Sequence, residues 1–330
     1  MEFCYRALTR ENEDWGSAVS QCTQCGTNVA PAEKLCEHCG AASTAFRRVA
    51  VPRHAPGRTE PDRDENHLDA IVLITDRGIE HTRNEDAGAA GTVAGAPGEQ
   101  PTGIAAVVCD GVSTSAEGQN ASRAASVAGV DAMLKALAAA RDLTSVMMAG
   151  LSDAARAAAE AESPDESIAP SSCTYTAAVV VPMNADEVQI AVANVGDSRV
   201  YWLPDPPAQP QRLTVDDTLA QQLISGGIPA DSPAVARGAH TLTRWFGADA
   251  EPPLFDESSV STMTTADRGV LVVCSDGLHN YVPEAADIAR FCHGISPNEA
   301  ARALVDYALQ AGGHDNITVI IIPIRAHGFR

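Results

Sequence analysis

The stretches IAAVVCDG (104–111) and VLVVCSDG (270–277) decide the fold, because each is an apolar run of strand length that stops at an Asp-Gly pair. Short apolar runs bounded by turn residues are typical of buried strands. Two more runs have an aspartate beside one end, VQIAVANVGDSR (188–199) and GGHDNITVIIIPI (312–324). Strand ends are rigid, so they can hold side chains to the tolerance that a metal site requires.

Around these runs, the pattern of the chain from residue 69 onward predicts strands and helices in blocks. Strand character is found at 70–75, 104–109, 174–181, 188–195, 199–203, 269–274 and 317–322. Helical patterns cover 117–140, 143–162, 282–292 and 297–311. Asp142 and Ser296 are suitable N-caps for two of these helices. Blocks of strands and helices, rather than regular alternation, predict an α+β fold whose antiparallel sheets carry helices on their outer faces.

Carboxylates recur at the ends of the predicted strands. They are Asp110, Asp197, Asp276 and Asp315, together with the pair Glu85-Asp86 that closes TDRGIEHTRNEDA (75–87). Converging carboxylates raise one another's pKa unless cations neutralise them. Oxygen donors without His or Cys select hard ions such as Mg²⁺ or Mn²⁺. The alternative is a set of solvated turn aspartates, because turns favour Asp-Gly in any case.

A second candidate metal site lies in CTQCGTNVAPAEKLCEHCG (22–40). Its cysteines are Cys22, Cys25, Cys36 and Cys39, in two Cys-x2-Cys pairs. Four thiolates at this spacing suit one tetrahedral, structural Zn²⁺, so we expect a zinc ribbon over 22–40. A segment this small needs the metal in order to fold. A redox-active or vestigial knuckle is the alternative.

The remaining divisions of the chain follow from composition. Residues 1–21 form an N-terminal segment, 41–68 are rich in Pro, Ala and charge and are predicted to be a linker, and 69–325 form the main domain. The net charge of −20 argues against a nucleic-acid-binding surface. No apolar run reaches the length of about 20 residues that a membrane span needs, and the first residues are too polar for a signal peptide. We therefore expect a cytoplasmic monomer that binds neither nucleic acid nor membranes.

The chain resembles the metal-dependent protein phosphatases of the 2C family, bacterial type, in the order and spacing of its motifs. These are TDRGIEHTRNEDA, VVCDG, SSCTYTAAVV, NVGDSRVY, LTVDDTLAQQL, TLTRWFG, CSDGL and GGHDNIT, spread over residues 69–325. The resemblance implies an αββα sandwich, in which two antiparallel sheets are each covered by a pair of helices. It also implies hydrolysis of phosphoserine and phosphothreonine by water activated between two Mn²⁺ or Mg²⁺ ions.

The resemblance assigns most of the acidic residues to two principal metals. Asp110 matches the carboxylate that bridges both ions, and Gly111 offers its backbone carbonyl. Asp276 and Asp315 match ligands of the first ion. Glu85 matches an acidic residue on the second ion.

Two further acids have secondary roles in the resemblance. Asp86 matches a residue that holds metal-bound water, and Asp197 one that helps to hold a third, weaker metal. Asn280 stands where many members have an aspartate on that third metal, so we expect the third site to be weakened.

The phosphate-binding position departs from the family pattern. His81 replaces the arginine that usually lies four residues before the glutamate, and Arg83 lies two residues further on. A histidine offers one donor and partial charge where arginine offers a charged fork, so either His81 or Arg83 would contact the substrate phosphate. The glycine-rich turn after the bridging aspartate is replaced by Val-Ser-Thr-Ser at 112–115, where side chains resist angles that glycine allows.

The sequence therefore predicts a protein-serine/threonine phosphatase that acts on phosphoproteins. The alternative is a catalytically weak, phosphatase-like module that binds phosphoproteins, with the zinc ribbon docking a protein partner.

Overall fold

The computed structural model of the protein describes residues 19–21 (backbone only), 25, 27, 36–39, 46–53, 62–94, 101–112, 115, 117–161 and 170–324. In chain order its strands are β1 (Val19–Gln21), β2 (Phe46–Val51), β3 (Arg63–Leu68), β4 (Ile71–Asp76), β5 (Ala87–Val93), β6 (Gly103–Cys109), β7 (Ser172–Cys173), β8 (Tyr175–Pro182), β9 (Val188–Val195), β10 (Arg199–Pro204), β11 (Gln211–Arg212), β12 (Phe246–Gly247), β13 (Val260–Thr265), β14 (Gly269–Cys274) and β15 (Ile317–Ile324). Its helices are α1 (Gly118–Ala138), α2 (Leu143–Ala159), α3 (Leu219–Ser225), α4 (Pro233–Arg237), α5 (Asp276–His279), α6 (Ala285–Cys292) and α7 (Pro297–Ala311).

Two antiparallel sheets dominate the part of the chain that the structure describes. The first has the strand order β1-β2-β5-β6-β8-β9-β13, and the second has the order β11-β10-β14-β15-β4-β3. A separate short pair joins β12 to β7. Because β4 and β5 lie in different sheets, the connection that contains Glu85 and Asp86 crosses from the second sheet to the first.

The sheets pack face to face because their strands are apolar on both sides. In β6, Ala106 and Val108 pack against residues of the second sheet, whereas Ala105 and Val107 pack against the helices outside the first. Successive side chains of a strand point to opposite faces, so a fully buried strand between two layers needs this continuous apolar run. The apolar runs before the two Asp-Gly pairs are therefore the central strands β6 and β14 of the sandwich.

Helices cover the outer face of each sheet. α1 and α2 pack on the first sheet, and α6 and α7 on the second, which confirms the predicted α+β, αββα arrangement. The predicted caps are also confirmed, since Asp142 accepts a hydrogen bond from the Ser145 amide (2.9 Å) and Ser296 forms a capping box with Glu299. No helix within the described residues has the length and apolarity that crossing a membrane requires.

Part of the predicted linker is wrong. Within 41–68, β2 pairs with β5 and β3 pairs with β4, so both stretches belong to the sandwich. β3 lies at an edge of the second sheet, where Arg63 and Glu65 form ion pairs with Asp76 and Arg302. Edge strands commonly carry charged residues. The charged sequence of β3 (RDENHL) therefore has the composition of a linker although it forms a strand.

Candidate metal centre

The ends of several strands meet at one cleft of about 870 Å³. Five of the predicted site residues line it, namely Asp110, Gly111, Asp197, Asp276 and Asp315. Asp110 and Gly111 directly follow β6, Asp276 opens the short helix after β14, and Asp315 lies just before β15. Asp197 lies in the turn between β9 and β10. The cleft is therefore built at the rigid edge of both sheets.

Asp110 has the central position in this set. Burial raises its pKa well above the usual range, and the charges of Asp86, Asp276, Asp315 and Asp197 raise it further. Four neighbouring acids thus act on one carboxyl group. Without a cation, this arrangement opposes the ionisation of Asp110.

Asp86 lies behind the cleft and is fully buried. The Ser275 hydroxyl donates to its Oδ2 atom (2.7 Å), while its Oδ1 atom has no hydrogen-bond partner among the described residues. Burial raises the pKa of Asp86 well above its usual range. A buried carboxylate oxygen without a partner is costly, and a cation or a water held by a cation would satisfy it.

Asp276 and Asp197 line the cleft itself. Burial raises the pKa of both, and for Asp197 it reaches about 7. The Asn280 amide donates to Oδ2 of Asp276 (3.1 Å), whereas Oδ1 of Asp276 is buried without a hydrogen-bond partner. Asn280 therefore contacts a carboxylate of the cluster directly. Mutual repulsion, unpartnered oxygens and an oxygen-only donor set together fit hard divalent cations.

The carboxylates do not close around a single point. Within the described residues, no three of these acidic residues bring one oxygen each within 4.8 Å of one another. The cluster is therefore broader than a closed cage for one ion, and it opens onto the cleft.

A family model described as protein phosphatase 2C matches residues 79–310, which is more than two thirds of the chain. The chain belongs to the protein phosphatase 2C family.

Curated relatives in this family match over part of their length. The serine/threonine phosphatase stp of Listeria welshimeri is 34% identical over 137 residues, which cover 41% of this chain and 51% of that protein. The mitochondrial protein phosphatase 1K of Xenopus laevis is 31% identical over 180 residues, covering 47% of this chain and 44% of that protein. The chain thus spans about half the length of the curated relatives it matches.

Solved structures of the family share the fold. The serine/threonine phosphatase of S. agalactiae gives a TM-score of 0.55 at 23% identity, covering 76% of this chain and 97% of that one. The phosphatase Stp1 of Staphylococcus aureus gives 0.54 at 22% identity, covering 79% and 99%. At these identities the likeness shows the αββα sandwich.

The loop that carries Glu85 and Asp86 is held in place by one side-chain amide that the sequence prediction missed. The buried Asn316 side chain accepts a hydrogen bond from the Glu85 amide (2.7 Å) and donates to the carbonyls of Arg77 (2.7 Å) and Arg83 (3.1 Å). Asn316 directly follows Asp315, but its partners lie more than 230 residues earlier. Such a contact leaves no local signal in a sequence.

The two candidate phosphate-binding side chains, His81 and Arg83, face the acidic cluster differently. Nε2 of His81 lies 3.2 Å from Oδ1 of Asp315. The Arg83 guanidinium is half exposed, 3.8 Å from Oε1 of Glu85 and 3.7 Å from Oε1 of Glu117. Burial raises the pKa of Glu85, and the charges of Arg83 and His81 oppose that rise. His81 is therefore engaged with the cluster, whereas Arg83 is loosely held at its rim.

In the altered turn after Gly111, the residue with unfavourable backbone angles is Glu117, which lies beyond the Val-Ser-Thr-Ser stretch. Both the amide and the hydroxyl of Ser115 donate to the Val112 carbonyl (2.8 and 2.7 Å), while Ser113 and Thr114 lie outside the described residues. Glu117, the N-cap of α1, adopts left-handed angles (φ 56°) that disfavour residues with a side chain. At Gly111 a Cβ would lie 2.8 Å from the Glu85 carbonyl oxygen, so only glycine fits there.

Other residues of the site also escaped the sequence prediction. Thr174 accepts a hydrogen bond from the Asp110 amide through its hydroxyl (3.0 Å) and donates its own amide to the Asp110 carbonyl (2.8 Å). His240 lines the cleft, and its charge opposes the rise in the pKa of Asp276. A lone threonine after a cysteine and a lone histidine in a loop are too common to mark a site.

The predicted zinc ligands form a separate cluster. The sulfur atoms of Cys25, Cys36 and Cys39 all lie within 4.8 Å of one another, and those of Cys25 and Cys36 are 3.5 Å apart. Cys22 lies outside the described residues. Hydrogen bonding with the side chain and backbone of Thr27 lowers the pKa of Cys25 to about 6, which favours the thiolate.

Proposed function

We propose that this chain is a metal-dependent protein-serine/threonine phosphatase that hydrolyses phosphoserine and phosphothreonine in proteins. The observation that carries the proposal is the position of Asp110, which lines the cleft of a phosphatase 2C family member together with Asp197, Asp276 and Asp315, and which also has the buried Asp86 as a neighbour. A cluster of this kind is unfavourable in the absence of cations and is suited to binding them.

Two Mn²⁺ or Mg²⁺ ions are the proposed cofactors, with a weaker third. The residues that would hold them are Asp110, Gly111 through its carbonyl, Asp276 and Asp315, with Glu85 on the second ion and Asp197 on the third, while Asp86 would hold metal-bound water. When bound, such ions activate water and neutralise the charge that develops on a transferring phosphoryl group. No protein nucleophile is then required.

The surrounding residues keep the carboxylates apart and correctly oriented. Ser275 fixes Asp86, Asn280 fixes Asp276, and Thr174 fixes the backbone of Asp110 at the end of β6. Ser275 and Thr174 are buried, whereas Asn280 is exposed at the end of the short helix after β14; together their contacts orient the donor set before any ion binds.

We propose that Arg83 binds the phosphate group of the substrate. Its guanidinium lies beyond hydrogen-bond distance of both nearby glutamates and is half exposed, so it can turn toward a ligand in the cleft. An arginine side chain also offers a planar fork of donors that matches the geometry of a phosphate group. His81 keeps its contact with Asp315 and serves to position that carboxylate.

Turnover of a phosphopeptide tests the proposal. We expect hydrolysis of p-nitrophenyl phosphate and of a phosphothreonine peptide with Mn²⁺, abolished by EDTA and reduced at least about 100-fold in Asp110→Asn. Asp153→Asn removes an exposed carboxylate on α2 and should retain wild-type activity. Binding of the phosphopeptide without turnover would contradict the proposal and favour the phosphoprotein-binding module instead.

A further inference from the structure

The cysteine cluster lies in the connection between two paired strands. β1 ends at Gln21 and β2 begins at Phe46, and the two strands are antiparallel, with Val19 opposite Arg48 and Gln21 opposite Phe46. Neighbouring strands lie about 4.8 Å apart, so the chain that leaves β1 must return to almost the same place. Cys25, Cys36 and Cys39 lie in the segment that joins these two strands.

The sulfur atoms have the separation that a tetrahedral metal site requires. With Zn–S bonds of about 2.3 Å, neighbouring sulfurs of a tetrahedron lie about 3.8 Å apart. The Cys25–Cys36 pair at 3.5 Å and the 4.8 Å limit for all three sulfurs agree with this spacing. A disulfide would instead need about 2.05 Å between its sulfur atoms, and the sulfurs of Cys25 and Cys36 are well beyond that distance at 3.5 Å.

The donors also select the metal. The cluster offers three sulfur ligands, and none of the carboxylates of the cleft belongs to it. Soft thiolates in a tetrahedral arrangement select Zn²⁺ over the hard ions that suit the cleft. The sequence places a fourth cysteine, Cys22, directly after β1, which completes the number of ligands of a closed structural site.

We propose that Cys25, Cys36 and Cys39 bind one Zn²⁺ in the β1–β2 connection, and that this metal holds β1 in place as the edge strand of the first sheet. β1 has three residues, and among the described strands its one partner is β2. A strand this short adds little stability by itself, and the entropy of closing a connection from residue 21 to residue 46 opposes its pairing. A metal that cross-links the connection reduces that entropy cost.

This arrangement gives the zinc site a role in the phosphatase fold. β1 is the outermost strand of the first sheet and covers the edge of β2. If β1 detached, the unpaired backbone groups of β2 would become an exposed sheet edge, which invites pairing with other chains. The zinc site is therefore a clamp on the sheet edge.

Metal analysis of the full-length protein tests the site. We expect about one Zn²⁺ per chain that resists exchange by Mn²⁺, is lost in the double variant Cys36→Ser/Cys39→Ser, and is retained in Cys4→Ser, the matched control. Substitution of the wild type by Co²⁺ should give the charge-transfer spectrum of tetrahedral thiolate ligation, which the carboxylates of the cleft cannot produce. Iron in place of zinc, a disulfide, or no thiolate-bound metal would overturn the proposal.

Hydrogen exchange tests the clamp independently. When zinc is removed from the wild type by a chelator, amide exchange in 46–51 should accelerate about tenfold or more, while exchange in β14 (269–274) stays unchanged. This measurement does not depend on the folding of any cysteine variant. Bound zinc whose removal leaves exchange in 46–51 unchanged would overturn the role of the metal at the sheet edge.

Discussion

Asn316 fastens the loop of the acidic cluster, and its replacement by alanine should weaken both the fold and metal binding. The side chain is 3% exposed and makes hydrogen bonds to the Glu85 amide and to the carbonyls of Arg77 and Arg83. Each net hydrogen bond contributes about 1 kcal/mol, and buried partners left unsatisfied add to the cost. We expect Asn316→Ala to lower the free energy of unfolding by about 3 kcal/mol.

The matched control is Asn184→Ala. Asn184 also makes three hydrogen bonds, to Glu187 twice and to Asp186, but it lies in an exposed turn where water can replace them. Its loss should cost less than about 1 kcal/mol. The comparison isolates burial, because the substitution and the number of hydrogen bonds are the same.

Urea unfolding and the Mn²⁺ dependence of phosphopeptide hydrolysis measure the two effects. Because Asn316 fixes the backbone at Glu85, the Mn²⁺ concentration for half-maximal activity should rise about tenfold in Asn316→Ala and stay at the wild-type value in Asn184→Ala. Equal stability of the two variants would refute the energetic reasoning. A destabilised Asn316→Ala with wild-type Mn²⁺ dependence would refute the link between this loop and the metal.

Three further outcomes follow from the site. Arg83→Ala should raise the KM for a phosphothreonine peptide about tenfold with a smaller change in kcat, and an unchanged KM would exclude phosphate binding by Arg83. Asp197 has a folded pKa of about 7, above the value of about 4 in unfolded chains, so its contribution to the stability of the metal-free protein falls as pH rises from about 4 to about 7. In EDTA at pH 8, Asp197→Asn should therefore raise the Tm, and a lower Tm would contradict the cause given for the pKa. Gly277→Ala would bring a Cβ within 2.0 Å of the Asn316 carbonyl oxygen and should cost about 3 kcal/mol or more by urea unfolding, whereas Gly226→Ala should be nearly neutral.

The central strands were predictable because their sequence pattern is unmistakable. β9 (Val188–Val195) and β14 (Gly269–Cys274) have the predicted bounds, and so does α7 (Pro297–Ala311), which a capping box and two glycines delimit. Buried apolar runs and capping residues act locally, so one sequence is enough to place them.

Elements whose residues have weak intrinsic preferences were missed. β5 (AGAAGTV) is rich in Ala and Gly because α1 packs closely on it, and at Gly91 a Cβ would lie 2.4 Å from Leu134 Cδ1. β13 (VSTMTT) is a partly exposed edge strand without a continuous apolar run. In both, tertiary packing decides the structure, which local propensity does not encode.

The candidate site likewise contains residues that could be predicted from the sequence and residues that could not. The strand-end acids could be named from the sequence because an aspartate after an apolar run is a local pattern. The supporting residues Asn316, Ser275 and Thr174 could not, since each acts on a partner far away in the chain. The contact of His81 with Asp315 likewise emerges only when the ends of β4 and β15 come together.

The most direct test of the central proposal is anomalous diffraction from crystals grown with Mn²⁺. We expect two strong manganese peaks in the cleft, both at about 2.2 Å from carboxylate oxygens of Asp110, and neither peak in Asp110→Asn crystals grown the same way. A cleft without manganese in wild-type crystals that hold the fold, or peaks remote from Asp110, would contradict the assignment of the acidic cluster as the metal centre.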